Sequence, residues 1–345
     1  MTKQPIRVWL PTLRAGSGSD VFAQRLADGL ARAGHDPRLQ WFDHDREWRP
    51  WTLRSEAAPS GVDVVHAGSW QGFAFKRAGV PLVITEHQYI QHPEFTPHRG
   101  RLQSLYHHFF VRRCVLQSYR AADALVAVSA HTAGAMRPNA GRPVQMIHNW
   151  VDTERFAPQE RMSASSDGVF RLLFVGNPSR WKGADVLPEL MGRLGPNFEI
   201  QCLGGLRRSF KSNQLVPGMV LRDPVKAEEM PSVYHSVDAV LVPTRYEAFG
   251  YVAVEAMACG LPVLGFASTG TAEVCVHGET ALLAPMDDVE MLARYARQLS
   301  NDAALRGRLG AAGRQRALAY FSEHKAINAY TSLYEELIEQ RRAHG

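Results

Sequence analysis

The chain has 345 residues, 45% of them hydrophobic, with 39 Lys+Arg against 34 Asp+Glu. That length is more than one core usually serves and predicts two domains of about 160–180 residues each. No apolar run approaches the ~20 residues of a membrane span, the first residues lack a signal-peptide layout, and the scattered Cys114, Cys202, Cys259 and Cys275 argue against a zinc site or disulfide framework, so a cytoplasmic protein is expected.

The charge is uneven. Residues 1–165 hold 20 Lys+Arg and 14 Asp+Glu, and the remainder hold 19 and 20. Nucleic acid would suit such a basic half, but no recognition module accompanies it. An anionic membrane surface or an anionic acceptor suits it equally, and no nucleic-acid partner is expected.

Ile6 to Leu10 reads as a first strand, followed by the glycine-rich turn Ala15-Gly16-Ser17-Gly18-Ser19 and an amphipathic helix ending at Gly34. Ser19 or Asp20 is placed to cap that helix. The G-x-G-x-x-G pattern of a dinucleotide fold fails, because Phe22-Ala23 occupies the third-glycine region. Asp43-His44-Asp45 has the form of a D-x-D metal motif but lies in a polar stretch without a strand end, so it reads as a solvated turn. Two apolar runs, Val62–Gly68 and Pro81–His87, read as parallel strands ending in polar residues. Ligands in parallel sheets bind beyond the carboxyl ends of the strands, which places His66 and His87 at such an end, although a strand-end histidine is more often a satisfied structural group.

From Phe95 to Ala122 there is no acidic residue, while Arg99, Arg101, Arg112, Arg113 and Arg120 lie among Tyr106, Phe109, Phe110 and Tyr119. A long helix with a basic, aromatic face is predicted. That face is either plainly solvated, or a surface for anionic lipid headgroups or an anionic acceptor. Ala124–Ser129 is a further buried strand. Residues 157–168 are polar and aperiodic and read as the linker. Val169–Gly176 opens the second domain, followed by Asn177-Pro178-Ser179-Arg180-Trp181-Lys182-Gly183. In the last helix, Ile327, Tyr330, Leu333, Tyr334, Leu337 and Ile338 form one face at helical spacing, predicted to pack back on the first domain.

The chain is organised around Thr244–Ala258, T-R-Y-E-A-F-G-Y-V-A-V-E-A-M-A, between the strand-like runs Ala239–Val242 and Val263–Phe266. A strand, a short loop and a helix start at Gly250 make an anion site, since the first helical N–H groups lack internal partners. Glu247 lies in the loop, and Glu255 lies about 7.5 Å into the helix at ~1.5 Å per residue. Amides for a diphosphate, flanked by carboxylates for hydroxyls, suit a nucleotide sugar. Spacing alone is also met by a solvated loop acid and a helix-surface charge.

The run P-T-R-Y-E-A-F-G-Y-V-A-V-E-A-M-A-C-G-L-P-V resembles the E-x7-E signature of retaining GT-B glycosyltransferases, family 4 (glycosyl transferases group 1) in particular. Further pieces match in order along nearly the whole chain. The resemblance implies an α/β fold of two Rossmann-like domains with parallel sheets facing across a cleft. These are an acceptor-side domain over residues 1–160, a nucleotide-sugar domain over 169–320, and a C-terminal helix over 321–345. It implies transfer of a hexose-type sugar, with retention and without a metal or other cofactor, from a UDP- or GDP-sugar to a glycan or lipid-linked acceptor. Lipopolysaccharide, exopolysaccharide or other glycoconjugate synthesis on the inner membrane face is the expected setting.

By the same resemblance, Gly16, Gly18, Arg180, Lys182, Phe249, Gly250 and Glu255 serve the donor, with Lys182 on the diphosphate and Glu255 on the ribose. Glu247 holds hexose hydroxyls, His87 is the catalytic histidine, and His66 is sugar-proximal. Two positions depart from the pattern: Trp150 stands where glycine is usual, and Asn177 where arginine is usual, with Arg180 as the substitute charge. A nucleotide-sugar epimerase on the same fold and a catalytically silent sugar-nucleotide-binding module are the competing readings, ahead of a NAD oxidoreductase.

Overall fold

The structure is a computed structural model that describes residues 4–98, 100–159, 168–205, 210–211 and 214–344. It divides into one unit of Met1–Asn149 with Glu323–Gly345 and a second of Trp150–Ser322. In chain order the first unit holds β1 (Arg7–Leu13), α1 (Gly18–Arg32), β2 (Asp36–Phe42), β3 (Val64–Gly68), β4 (Leu82–Glu86), α2 (Arg101–Tyr106), α3 (Arg112–Ala121), β5 (Ala124–Ala127), α4 (Ala130–Ala140) and β6 (Val144–Met146). The second holds β7 (Phe170–Gly176), α5 (Leu187–Leu194), β8 (Phe198–Gly204), β9 (Met219–Arg222), α6 (Met230–His235), β10 (Ala239–Val242), α7 (Tyr251–Ala258), β11 (Val263–Phe266), α8 (Thr269–Val274), β12 (Ala281–Ala284), α9 (Val289–Asn301) and α10 (Ala303–Tyr320). The last helix, α11 (Glu323–His344), returns to the first unit.

Each unit is built on a six-stranded parallel sheet, ordered β2-β1-β3-β4-β5-β6 in the first and β12-β11-β10-β7-β8-β9 in the second. The apolar runs form strands because helices cover both faces of a parallel sheet, leaving no polar side to satisfy. β10 (AVLV), for instance, is buried throughout. Pro37 is tolerated because β2 lies at the sheet edge, where a missing N–H breaks no ladder. In such sheets a crevice opens where strand order reverses. That point falls between β1 and β3 in the first unit and between β7 and β10 in the second.

The expected boundary at 160–169 differs from the observed division after Asn149. Residues 150–156 are already anchored in the second unit. Val151 N–H donates to Phe321 O at 3.0 Å, Arg314 donates to Thr153 O and Phe156 O at 2.9 Å, and Phe156 packs edge-on against Tyr234. Trp150 is buried there and keeps a negative φ, so its backbone has no need of glycine. Most of the expected linker, 160–167, lies outside the described residues.

The small residues of α7 have a packing cause. The helix is buried on nearly all sides, and α10 crosses it so closely that a Cβ on Gly310 would lie 2.0 Å from Gly260 O. On α11, Ile327, Tyr330, Leu333, Tyr334 and Leu337 are buried, with Ile327 seated over Gly29 of α1.

Candidate functional site

In the second unit, the loops that leave β7 and β10 meet at the switch point. The β7 loop turns through a short 3-10 helix, Arg180–Lys182, and ends at Gly183 with φ +74°. A Cβ there would fall 1.9 Å from Pro243 O, so only glycine lets the two loops touch. Lys182 crosses to form an ion pair with Glu247 Oε2, its Nζ 4.6 Å from the Trp181 ring centroid. Glu247 is itself fixed by the start of α8. Its N–H donates to Thr269 Oγ1 at 2.8 Å, and its carbonyl accepts from Thr269 Oγ1 at 2.7 Å and from Gly270 N at 2.8 Å. Gly250, at φ +98°, is the N-cap of α7. Glu255 sits inside α7, nearly buried, accepting from Tyr234 Oη at 2.7 Å. The alternative of a solvated helix-surface charge is thereby corrected for Glu255. Phe249 is buried edge-on against Tyr251 and Phe321, so its ring belongs to the core.

Arg245 is the functional-loop residue that sequence reasoning missed. It is buried, donates through Nη1 and Nη2 to Asp185 at 2.7 and 3.1 Å, through Nε to Asp287 at 2.6 Å, and to Arg180 O. Its own N–H donates to Trp181 O at 2.9 Å. One guanidinium fork thus staples three loops, the geometry for which arginine is suited and lysine is not. Burial alone would lower its pKa, but hydrogen bonds and charge from Asp185 and Asp287 outweigh that and leave it more basic than usual. Asp287 accepts in an unusual conformation: among the described residues it is the one non-glycine with positive φ, +63°. Arg180, expected to replace the missing loop arginine, has a side chain 80% exposed and only a long, 3.9 Å approach to Asp185. Asn177 lies against Gly205, where a Cβ would come within 2.5 Å of its N.

In the first unit, the titratable groups at the ends of β3 and β4 are buried, and burial drives them toward their uncharged forms. His66 is buried with both ring nitrogens engaged, Nδ1 with Tyr334 Oη at 2.6 Å and Nε2 with Thr85 Oγ1 at 2.7 Å. Burial, with a smaller contribution from nearby His87, pushes its pKa down to about 3. Tyr334 on α11 and Thr85 on β4 thus occupy both ring nitrogens of the residue expected to be sugar-proximal. His87 differs. Its ring packs 4.4 Å from Phe22, its Nδ1 has no hydrogen-bond partner, and burial pushes its pKa down to about 4. Next to it, Glu86 is buried and accepts from Tyr119 Oη at 2.6 Å, and burial raises its pKa to about 7.

The Gly16 turn, φ +58°, is held by Asp20, whose carboxylate accepts from Ala15 N at 3.1 Å and Gly16 N at 2.9 Å. Neither Ser19 nor Asp20 caps α1. The helix starts at Gly18 with Ser17 at the N-cap and no side-chain cap, because Asp20 reaches back to the turn instead.

Within the acid-free segment, Arg101 to Ala121 is one helical run, α2 and α3 joined by a π-helical turn at His107–Val111. Leu102, Leu105 and Phe109 are 84%, 54% and 70% exposed, and Arg101, Arg112, Arg113 and Arg120 are exposed beside them. Arg99 lies outside the described residues. Trp48 packs on Tyr106 and Trp51 on Phe110, extending the same apolar surface. Asp43, His44 and Asp45 lie at and just before the start of an exposed 3-10 turn. Among the described residues no cluster of three metal-ligating side chains includes them, Glu247 or Glu255, and no helix is long and apolar enough to cross a membrane.

The family model described as Glycosyl transferases group 1 matches residues 158–316, and that described as Glycosyltransferase Family 4 matches residues 39–155. A D-inositol 3-phosphate glycosyltransferase of Geodermatophilus obscurus is 30% identical over 322 residues, covering 83% of this chain and 70% of that protein. The sucrose-phosphate synthase of Thermosynechococcus elongatus shares the fold with a TM-score of 0.81 at 19% identity, over 97% of this chain and 100% of the other. Anabaena HepE, solved in complex with UDP-glucose, superposes with a TM-score of 0.73 at 18% identity, over 96% and 100% of the two chains.

Proposed function

The chain belongs to the family 4 glycosyltransferases, with the GT-B fold, and from that premise we propose that it moves a hexose-type sugar from a UDP-sugar to an acceptor hydroxyl with retention at the anomeric carbon. The observation that carries the reading is the Lys182–Glu247 pair at the switch point of the second unit. It joins a cation suited to diphosphate oxygens with a carboxylate suited to sugar hydroxyls. Glu255 at the far side of the same loop serves the ribose, and Tyr234 fixes its orientation. Uridine is favoured over guanosine by HepE, whose complex holds UDP-glucose.

The glycosidic bond to the diphosphate breaks through an oxocarbenium-like state, so negative charge grows on the departing phosphate oxygen. Lys182, the exposed Arg180 and the amides at the start of α7 stabilise that charge from fixed positions. Arg245 positions the loop that carries the two cations. His87, neutral near pH 7 and unpartnered at Nδ1, contacts the sugar rather than the phosphates. No step requires a metal. The acceptor is a glycoconjugate hydroxyl: a lipid-linked or lipopolysaccharide-type glycan, an exopolysaccharide, or a phosphorylated polyol of the kind for which the Geodermatophilus relative is named. The protein works in the cytoplasm, and the basic, apolar face of α2 and α3 docks it on the inner membrane surface.

A thermal-shift panel of nucleotide sugars, followed by product analysis with polyol and glycan acceptors, tests the reading. UDP release that requires an acceptor, with the donor's anomeric configuration kept in the product by NMR, is the expected result. An isomerised donor without acceptor would instead identify an epimerase. Binding with no turnover across the panel would identify a silent module.

A further inference from the structure

Outside the residues used above, the first unit gathers a second chemical cluster. The chain leaving β4 turns tightly after Ile90: His92 N–H donates to Tyr89 O, and Phe95 N–H donates to His92 O, both at 3.1 Å. That turn folds Glu94 back on His92, with the Glu94 N–H 3.3 Å from His92 Nδ1 and its Oε2 3.9 Å from the same nitrogen. His131 arrives from the first turn of α4, a position fixed by Ser129, whose Oγ caps the helix at Thr132 N, 3.1 Å away. The two imidazole rings lie 4.6 Å apart at 55°. One ligand atom from each of His92, Glu94 and His131 falls within 4.8 Å of the others.

From this geometry we propose that His92, Glu94 and His131 form a binding site for a divalent first-row transition metal of the zinc type. Two imidazoles and one carboxylate are a three-ligand set that zinc accepts with a fourth position left for water. Bond lengths of about 2.0–2.2 Å put tetrahedral ligands roughly 3.5 Å apart, so closing the cluster asks for a movement of about 1 Å. His92 and His131 are half-buried and Glu94 is exposed, so the carboxylate side has room for that movement. Magnesium is disfavoured, because it prefers six oxygen ligands. The ion would clip the segment after β4 to the start of α4, downstream of His87 in the same loop. It belongs to the first unit, while the loops of Lys182, Glu247 and Arg245 belong to the second, and donor chemistry is assigned no metal.

The test uses the full chain, free of any affinity tag and stripped with chelator, titrated calorimetrically with ZnCl2 and with MgCl2. One zinc per chain is expected, with no magnesium binding in the same range. Cobalt substitution should give the intense visible absorption of a low-coordinate site. Glu94→Gln and His131→Ala should each weaken zinc by at least about tenfold, the lower end of what even outer-shell changes cost. His108→Ala, an exposed histidine outside the cluster, should leave the affinity unchanged. Circular dichroism checks that each variant is folded, and the near-isosteric, exposed Glu94→Gln keeps the test available if His131→Ala fails to fold. Zinc affinity equal in wild type and Glu94→Gln, binding of magnesium as tight as zinc, or no stoichiometric zinc at all would each overturn the proposal.

Discussion

The two units carry parallel sheets of the same size, yet the ends of their central strands solve opposite electrostatic problems. In the second unit the side chains are charged and paired: Lys182 with Glu247, and Arg245 with Asp185 and Asp287. In the first unit the comparable positions hold His66, His87 and Glu86, which burial drives toward their uncharged forms. Ion pairing keeps full charges available beside a half-buried loop, where an isolated charge would be costly. Hydrogen bonding to neutral partners such as Tyr334, Thr85 and Tyr119 lets the first unit bury His66 and Glu86 without an opposite charge beside them. Of these two sets of strand ends, the charged one suits the diphosphate of the proposed donor, and the buried, unpaired one suits uncharged sugar hydroxyls.

The largest expected effect breaks the charged side. Lys182→Ala should lower kcat/KM by about 10²–10³-fold, the usual cost of removing one preorganised donor to a developing negative charge. Lys182 is a loop residue with a partly exposed side chain, so the fold should survive. Steady-state kinetics beside circular dichroism measures this, and a folded variant with near-normal turnover would remove Lys182 from the diphosphate.

Next comes the neutral side, read through pH. Glu86 has a folded pKa of about 7 against about 4.5 unfolded, so the folded state holds the extra proton between those values and stability falls as pH rises from 4.5 to 7. His66 and His87 run the other way. With folded values of about 3 and about 4, they bind protons in the unfolded chain first, and stability falls as pH drops below 6.5. Glu86→Gln keeps an acceptor for Tyr119 and removes the ionisation. Its gain over wild type should be largest above pH 7, on the order of 3 kcal/mol as an upper bound at about 1.36 kcal/mol per unit, and should vanish near pH 4.5. Calorimetric melting across that range decides it. A difference that does not vary with pH would mean that Glu86 is not the titrating group.

A smaller effect separates the two sides kinetically. Glu255→Ala should weaken binding of UDP alone by about 10–150-fold, matching the roughly 1.5–3 kcal/mol of a hydrogen bond to a charged group. His87→Ala should lower turnover at saturating donor more than it changes donor affinity. If calorimetry finds UDP binding intact in Glu255→Ala, the ribose assignment fails. If only the donor KM moves in His87→Ala, the histidine is a binding residue.

How much of this was legible in the sequence follows the range of the contacts. Buried parallel strands show as continuous apolar runs, and Glu247, Gly250 and Glu255 lie within nine residues of one another, so the loop and helix start could be read directly. Arg245 stood in the same stretch, but its partners Asp185 and Asp287 are 60 and 42 residues away, and no local pattern points to them. The partner of His66 was hidden for the same reason: the hydroxyl that occupies its Nδ1 comes from Tyr334, 268 residues on. Asp20 has the composition of a cap, and only the fold of the Gly16 turn turns it backward. The exposure of Leu102 and Leu105 was likewise hidden, because a helical stripe of apolar residues normally faces a core, whereas Phe109 could be placed on the basic, aromatic face.

That stripe bears on the comparison once more. The basic excess of the sequence lies in its first half, and part of it lies on the outside of the first unit, along α2 and α3. Arg101, Arg112, Arg113 and Arg120 are exposed there, with Leu102, Leu105 and Phe109 between them and Trp48 and Trp51 beside them. Arginines at an anionic bilayer contribute on the order of 1 kcal/mol each and act within a Debye length of roughly 8 Å at physiological salt. Exposed leucine, phenylalanine and tryptophan add an interfacial contribution that salt does not screen. Sedimentation with vesicles of graded anionic lipid should therefore show binding that rises with anionic content and weakens, without vanishing, in high salt. Arg112→Glu/Arg113→Glu should lose the charge-dependent part. Leu105→Ser/Phe109→Ser should lose the salt-resistant part while keeping the dependence on anionic lipid. Equal binding to neutral and anionic vesicles, or none to either, would make this face an ordinary solvated surface or an acceptor site. The contrast between the units would then end at their strand ends.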